Sequence, residues 1–242
     1  MRASLLLGAI ALAIASTACP SAPLRDGPPD VGTRTSTVDP LRGRFTLEDA
    51  LVGIEGTGHL VARVETSTGA FTIELAESSA PNTVANFVGL ALGKRPFRDP
   101  SSGAWVTRPF YEGLSFYRIV PNFVIQGGDP LSVGYGGPGY RIPDEIAPEL
   151  SHDAPGVVAM ANVQGGGGWG GSQFYVTERP TPTLDGTAAI FGHVIEGMET
   201  VRRIAHAPRT LAAGSSTVTP EYSERPVTPV KILRISVARS GK

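Results

Sequence analysis

Phe116-Tyr-Arg-Ile-Val-Pro-Asn-Phe-Val-Ile-Gln-Gly-Gly-Asp129 is the stretch on which the reading of this chain turns. Its composition predicts two short strands, Phe116–Ile119 and Phe123–Gln126, around a turn. Arg118, Phe123 and Gln126 stand around that turn. If Arg118 and the second strand share a sheet face, a cation and an amide flank an aromatic wall. Taken alone, the segment reads equally well as an ordinary hairpin with an exposed arginine.

The neighbouring sequence continues in strands. Leu60–Thr66 and Ala70–Leu75 alternate around Ser67-Thr68-Gly69, a hairpin signal. Val157–Ala161, Gln173–Val176, Ile190–Ile195 and Val230–Ala238 are further strand candidates. Two helices interrupt them. Pro81 suits a first helical turn, and Val84, Phe87, Val88 and Ala91 follow on one face. Met198, Val201 and Ala205 mark the second. Eight strands and two helices joined by loops rich in Gly and Pro predict a mainly β protein, a closed eight-stranded antiparallel barrel capped by helices. No internal repeat is visible.

Ahead of this domain the pattern differs. Arg2 precedes the apolar run Leu5–Ala15, and Ser16-Thr17-Ala18 supplies small residues, so residues 1–18 read as a secretory signal. The run is too short to span a bilayer as a helix. Cys19, the only cysteine, follows directly and resembles the lipobox cysteine of bacterial lipoproteins, which is diacylated. Lipoboxes usually carry Leu where this chain has Ser16, and ordinary cleavage after Ala18 is the alternative. Either way no thiol remains in the folded part for a disulfide. Residues 19–45 read as a proline-rich tether, and 46–58 as a lead-in opened by the capping box Thr46-x-x-Asp49. The main domain is expected over 59–239.

Composition excludes several classes. The 242 residues carry 21 Lys+Arg and 22 Asp+Glu, a net charge of −1, which offers no general field for nucleic acid or an anionic membrane. The four histidines show no metal-ligand spacing, so neither metal nor cofactor is expected. Gly134-Tyr-Gly-Gly-Pro-Gly139 matches a dinucleotide-loop spacing, but Pro138 and Pro143 forbid most of the helix that should follow. Gly165–Gly168 lacks the Gly-Lys-Ser/Thr of a phosphate loop. Asp144-Glu145 could serve acid–base chemistry, or could simply be a solvated loop.

Several motifs then converge. Ala80-Pro-Asn-Thr-Val-Ala-Asn-Phe87, Pro109-Phe-Tyr111, the opening stretch, Met160-Ala-Asn162, Gly171-Ser-Gln-Phe174, Leu184-Asp-Gly186, Phe191-Gly192 and Glu196-Gly-Met198 occur in that order. Together they resemble the cyclophilin-type peptidyl-prolyl cis-trans isomerases over Leu60 to Ala238. The resemblance implies an eight-stranded barrel with two helices and an enzyme that rotates X–Pro peptide bonds without cofactor. It implies that Arg118 is the catalytic guanidinium and that Gln126 orients the substrate. Phe123, Val124, Tyr175 and Leu184 would grip the proline ring, with core packing as the alternative for Val124 and Leu184. Ala161 and Asn162 would hydrogen-bond the substrate backbone, and Gln173 would complete a polar rim.

The sequence also departs from the family pattern. Val124 replaces a frequent Met and Tyr175 a Phe, both keeping an apolar wall. Thr183 stands where Trp or His is common, which puts cyclosporin-type binding in doubt, and Ala188 where His often lines the pocket. The loop between Asn162 and Gln173 is long, and Trp169 reads as a lid or as an exposed loop residue. The expected role is a monomeric isomerase acting on proline-containing peptides and folding envelope proteins, anchored through Cys19 in a bacterial envelope and facing the periplasm. A soluble periplasmic or secreted form is the alternative location. A non-catalytic module holding proline segments, and a structural lipoprotein with a vestigial pocket, are the competing functions.

Overall fold

Residues 38–162, 169–210 and 224–241 are described by the structure, a computed structural model. The leader, Cys19, the tether up to residue 37 and Gly165–Gly168 lie outside these residues. So do residues 211–223 of the connection before the last strand.

The lead-in begins with the expected capping box. Asp49 N–H donates to Thr46 Oγ1 at 3.2 Å, and Thr46 N–H donates back to Asp49 Oδ2 at 2.8 Å. These bonds satisfy orphan amides at the start of α1, Leu47–Leu51. Lys94 Nζ donates to the carbonyls of Ala50 and Val52, placing a positive charge at the negative end of that short helix.

Strands β1 (Thr57–Thr66) and β2 (Gly69–Leu75) form the expected hairpin, with Thr66 opposite Gly69. The remaining sheet strands are β3 (Arg118–Val120), β4 (Val124–Gly127), β5 (Val157–Met160), β6 (Phe174–Thr177), β7 (Ile190–Glu196) and β8 (Ile232–Gly241). All pair antiparallel in one eight-stranded sheet, in the order β8-β1-β2-β7-β5-β6-β4-β3. The closed barrel expected from the strand count is not formed. The sheet curls into an open half-barrel whose edges, β8 and β3, share no ladder. Separate backbone bonds cross the seam instead: Phe116 N–H to Val230 O at 3.0 Å, Ile232 N–H to Leu114 O at 2.8 Å and Ile119 N–H to Glu224 O at 2.8 Å. Strand β3 has only three residues, and Pro226 and Pro229 bring no N–H to the facing chain, so a continuous ladder lacks its donors.

Successive side chains of a strand point to opposite faces, and here both faces are used. Ile119, Ile125, Val158, Met160, Phe174 and Val176 enter the main core with α2 (Pro81–Ala91) and α3 (Met198–Ala205). Val124, Val157, Ala159, Tyr175 and Ile190 point the other way and form a second, smaller cluster roofed by Phe123, Leu150 and Leu184.

Helix α2 differs from the one-faced helix of the sequence pattern, because Thr83 to Ala91 are all buried. The lead-in covers its outer side. A Cβ at Gly89 would lie 2.4 Å from the Phe45 ring, so only glycine admits that contact. The helix start is capped from a distant loop. Ala80 offers no capping side chain, and Glu145 accepts from the backbone amides of Asn82 (3.1 Å) and Thr83 (2.7 Å) and from both side chains. Glu145 thus serves as a helix cap, with its charge at the positive end of the dipole. Glu145→Ala is expected to destabilise the fold by about 1–2 kcal/mol, read as a lower urea midpoint with an unchanged slope.

Candidate active site

The antiparallel register sets up the site. Arg118 lies directly opposite Gln126, Gln126 opposite Tyr175, and Tyr175 opposite Ala159. One row of side chains therefore crosses β3, β4, β6 and β5 on the face away from the main core. The shared face proposed for Arg118 and the second strand is present. A cleft of about 280 Å³ opens over this row, lined by Arg118, Phe123, Val124, Gln126, Ala161, Asn162, Tyr175, Leu184, Thr187 and Ala188. Its floor is apolar, since Val124, Ala161, Tyr175 and Ala188 are each under 8 % exposed. Arg118 and Gln126 form one polar side, and Asn162 and Thr187 contribute to the rest.

The cation is held in place. Arg118 Nη1 donates to Gln126 Oε1 at 3.3 Å, and its Cζ lies 5.9 Å from the centre of the Phe123 ring. Gln126 is fixed in turn: its Nε2 donates to Tyr117 Oη at 2.6 Å and to Gln173 Oε1 at 3.1 Å. Tyr117 Oη donates to Gln173 Oε1 at 2.6 Å, and Gln173 Nε2 donates to Gly136 O at 2.9 Å. Burial pushes the Tyr117 hydroxyl well above the usual phenol range, with Asp129 adding to the shift. The proton therefore stays on Tyr117 to make this bond.

Gln173 does not reach the rim as expected. It is fully buried behind Gln126, its side chain held between Gln126, Tyr117 and the Gly136 carbonyl. The glycine-rich run that resembled a dinucleotide loop is also part of this support. Asp129 is fully buried and accepts from the amides of Leu131, Val133, Gly134 and Gly136, so these donors are not displayed to a phosphate. A Cβ at Gly136 would lie 2.0 Å from Asp129 Oδ1.

The apolar wall has its own brace, which sequence reasoning missed. His152 is fully buried between Asp185 and Tyr175, with Nδ1 2.8 Å from Asp185 Oδ1 and Nε2 2.9 Å from Tyr175 Oη. Burial raises the Tyr175 hydroxyl well above the phenol range, with Asp144 and Asp185 adding to it. Tyr175 therefore keeps its proton, and the ring of His152 bridges its hydroxyl to the Asp185 carboxylate. The His152 backbone amide and ring hold the Asp185 carboxyl below the ordinary range. The sequence signal was present only as an isolated His and an isolated Asp.

Asn162 Nδ2 donates to Thr187 O, while its Oδ1 is buried and has no partner among the described residues. The Ala161 amide already donates to Gln173 O at 2.9 Å, so Asn162 is the group here with an open acceptor. Among the described residues no set of three His, Cys, Asp or Glu side chains is placed to hold a metal ion. A larger cleft of about 410 Å³ runs beside β7, but it offers Glu74, Glu149 and Asp153 and no guanidinium. Of the two, only the smaller cleft sets a cation and an amide against an apolar floor.

Residues 61–237 match the family described as cyclophilin type peptidyl-prolyl cis-trans isomerase/CLD. The chain belongs to the cyclophilins. Peptidyl-prolyl cis-trans isomerase A of Mycobacterium tuberculosis is 42% identical over 177 residues, covering 73% of this chain and 91% of that protein. Peptidyl-prolyl cis-trans isomerase B of Streptomyces anulatus is 45% identical over 151 residues, 62% of this chain and 85% of the relative. Among solved structures, a cyclophilin-type isomerase of Cryptosporidium parvum aligns with a TM-score of 0.59 at 29% identity, covering 75% of this chain and 99% of the other. A second crystal structure of that protein, in the presence of the dipeptide Ala-Pro, gives a TM-score of 0.58 at 30% identity, covering 74% and 99%. The enzyme class of this cyclophilin is thus peptidyl-prolyl cis-trans isomerase. The fold shared with these relatives is the curled, mainly β half-barrel with few helices described above.

Proposed function

We propose that the cleft over the Arg118–Gln126–Tyr175 row is where this cyclophilin rotates X–Pro peptide bonds. The observation that carries the reading is a fixed guanidinium and amide beside the apolar floor of a cleft of about 280 Å³. Resonance gives the peptide bond a barrier of about 18–20 kcal/mol, which isolated chains cross in tens of seconds or more. Rotation needs neither a nucleophile nor a proton transfer. At the top of the barrier the proline nitrogen has lost conjugation and accepts a hydrogen bond better than in the planar ground state. An Arg118 N–H aimed at that nitrogen stabilises the twisted form selectively, and selective stabilisation is what accelerates a reaction. Each ~1.4 kcal/mol of preference gives about tenfold in rate.

The other residues fix the substrate. Phe123, Val124, Tyr175 and Leu184 enclose the ring, so turning occurs on the side of the preceding carbonyl. The Ala161-Asn162 segment borders the substrate backbone, and Gln126 orients the amide beside Arg118. Gln173 acts from behind, by holding Gln126. The solved relative in the presence of Ala-Pro supports a proline-containing ligand. The direct test is exchange NMR on a short Ala-Pro peptide. Catalysed cis–trans exchange supports the reading, whereas binding without exchange would make the cleft a holding module.

Location forms the second half of the proposal. The short apolar leader followed by Cys19 supports a diacylated N-terminus, with the proline-rich tether up to residue 45 reaching the isomerase domain. Two acyl chains bury enough methylenes to hold a protein stably at a bilayer. The clients would be proline-containing segments of folding envelope proteins on the periplasmic side, met by a monomer. Cys19→Ser is expected to move the protein from the membrane to the soluble fraction of a bacterial envelope. An unchanged membrane fraction would count against the anchor.

A further inference from the structure

The connection from 208 to 229 carries no motif, yet it returns to the site at Glu224-Arg-Pro226. Glu224 Oε2 lies 3.0 Å from Arg118 Nε, and both side chains are largely shielded, at 16% and 20% exposure. The backbone fixes this carboxylate from several directions. Glu224 O accepts from Ile119 N–H at 2.8 Å, in the strand that carries Arg118. The next residue, Arg225, donates from Nη2 to Ser132 O at 2.6 Å and pairs in a short ladder opposite Thr210. Val227 N–H donates to Pro208 O at 2.7 Å, closing the base of the connection.

We infer that Glu224 is a positioning residue for Arg118, setting the plane of the guanidinium from which the proline nitrogen receives its hydrogen bond. This inference rests on the role proposed for Arg118. A guanidinium presents its donors as a rigid planar fork, so holding Nε and Nη1 together determines where Nη2 lies. Gln126 alone supplies one bond of 3.3 Å, around which the long side chain could still rotate. The shielded carboxylate beside Nε adds the second point as an ion pair: its Oε2 makes no hydrogen bond among the described residues, so the hold is electrostatic, and shielding from water strengthens it. Its negative charge also offsets part of the arginine's. That loss is small for this reaction because the acceptor is an uncharged nitrogen. Orientation at a preorganised donor therefore outweighs the loss of field.

A purely structural role, gluing the connection to the sheet, makes different predictions. The full chain would be measured on an X–Pro peptide by exchange NMR, with thermal midpoints recorded alongside. Glu224→Ala is expected to lower kcat about fivefold while KM changes less than about twofold, the pattern of an interaction realised in the transition state. Glu224→Gln keeps an acceptor oxygen and should fall between wild type and alanine. The Arg118 Nε–H resonance should shift in both variants. In an Arg118→Ala background, Glu224→Ala should lower the rate no further, because the two act as one unit. An equal loss in both backgrounds, or a kcat unchanged by Glu224→Ala, would overturn the inference. If the alanine variant does not fold, Glu224→Gln decides: wild-type kcat and an unshifted Arg118 resonance would overturn it. If Arg118→Ala itself kept full activity, the proposed role of Arg118 would fail. A drop there with no effect at Glu224 would sink only this inference.

Discussion

Arg118→Ala is expected to lower kcat/KM for X–Pro isomerisation at least about tenfold, corresponding to ≥ ~1.4 kcal/mol of lost transition-state stabilisation. The loss should fall mainly on kcat, since the apolar floor that grips the ring is untouched. Gln126, Tyr117 and Gln173 would keep their mutual bonds, so the wall opposite the deletion remains in place. Arg118→Lys should rescue little. A lysine ammonium carries three rotatable donors on one nitrogen and lacks the planar spread that reaches Glu224 and Gln126 while fixing a third donor over the cleft. Exchange NMR on one peptide at several concentrations separates kcat from KM. Equal rates for wild type and Arg118→Ala would remove Arg118 from the role proposed for it.

Local features of this site were legible in sequence, and relations between distant segments were not. Arg118, Phe123 and Gln126 could be grouped because they lie within one hairpin, where alternation fixes which residues share a face. That Tyr175 completes the row follows from its pairing with Gln126 across β4 and β6, a register no local pattern encodes. Gln173 was misplaced for a related reason. It has the same parity as Tyr175, but Gln126 and Tyr117, from a hairpin about 50 residues earlier, cover it. Glu145 reads as a loop acid because the first amide it caps, that of Asn82, lies 63 residues earlier in the chain. Glu224 escaped notice because nothing near it in sequence marks its contact with Arg118.

Burial produced the sharpest departures from sequence rules. Arg95 is 2% exposed, a state that composition alone argues against for arginine. Its guanidinium lies 3.9 Å from the centre of the Tyr140 ring and 5.4 Å from that of Phe45, and Nη1 donates to Asn86 Oδ1 at 3.0 Å. Three segments meet around it, offsetting part of its desolvation, while Nε and Nη2 have no hydrogen-bond partner among the described residues. The same contacts seat the lead-in against α2, and Asn86 Nδ2 continues them by donating to Gly171 O at 2.7 Å, beside Gln173. Closure of the barrel was likewise overstated. Eight strands permit a barrel, but closure depends on edge strands long enough to pair and carrying donors where they meet. Here the described residues of the seam make one isolated bridge, Ser115 to Lys231, and separate backbone bonds, of which Ile119 to Glu224 brings a carboxylate to Arg118.

Phe87→Ala is expected to be the most destabilising single change on the helical side, by about 3–5 kcal/mol. Phe87 is fully buried on α2 and meets three aromatic rings at once. Its ring centre lies 5.3 Å from Tyr111, 5.1 Å from Phe191 and 5.6 Å from Phe174, the last edge-on at 81°. Truncation removes apolar burial and leaves a void, because Tyr111 and Phe174 are already locked edge-on to each other at 86° and cannot collapse inward. With domains of this size commonly stable by about 5–15 kcal/mol, the variant should fold marginally and melt roughly 10 °C lower. The Arg118–Gln126–Tyr175 row should survive at low temperature, since Phe174 points into this core while its neighbour Tyr175 faces the cleft. The rim should soften first: Tyr111 Oη donates to Ser172 O at 3.1 Å, next to Gln173, and a Tyr111 ring freed on one side holds that strand less firmly. Denaturation by urea and heat measures the stability loss, and peptide KM against temperature measures the softening. A loss under about 1 kcal/mol would mean that the aromatic cluster can close over the void.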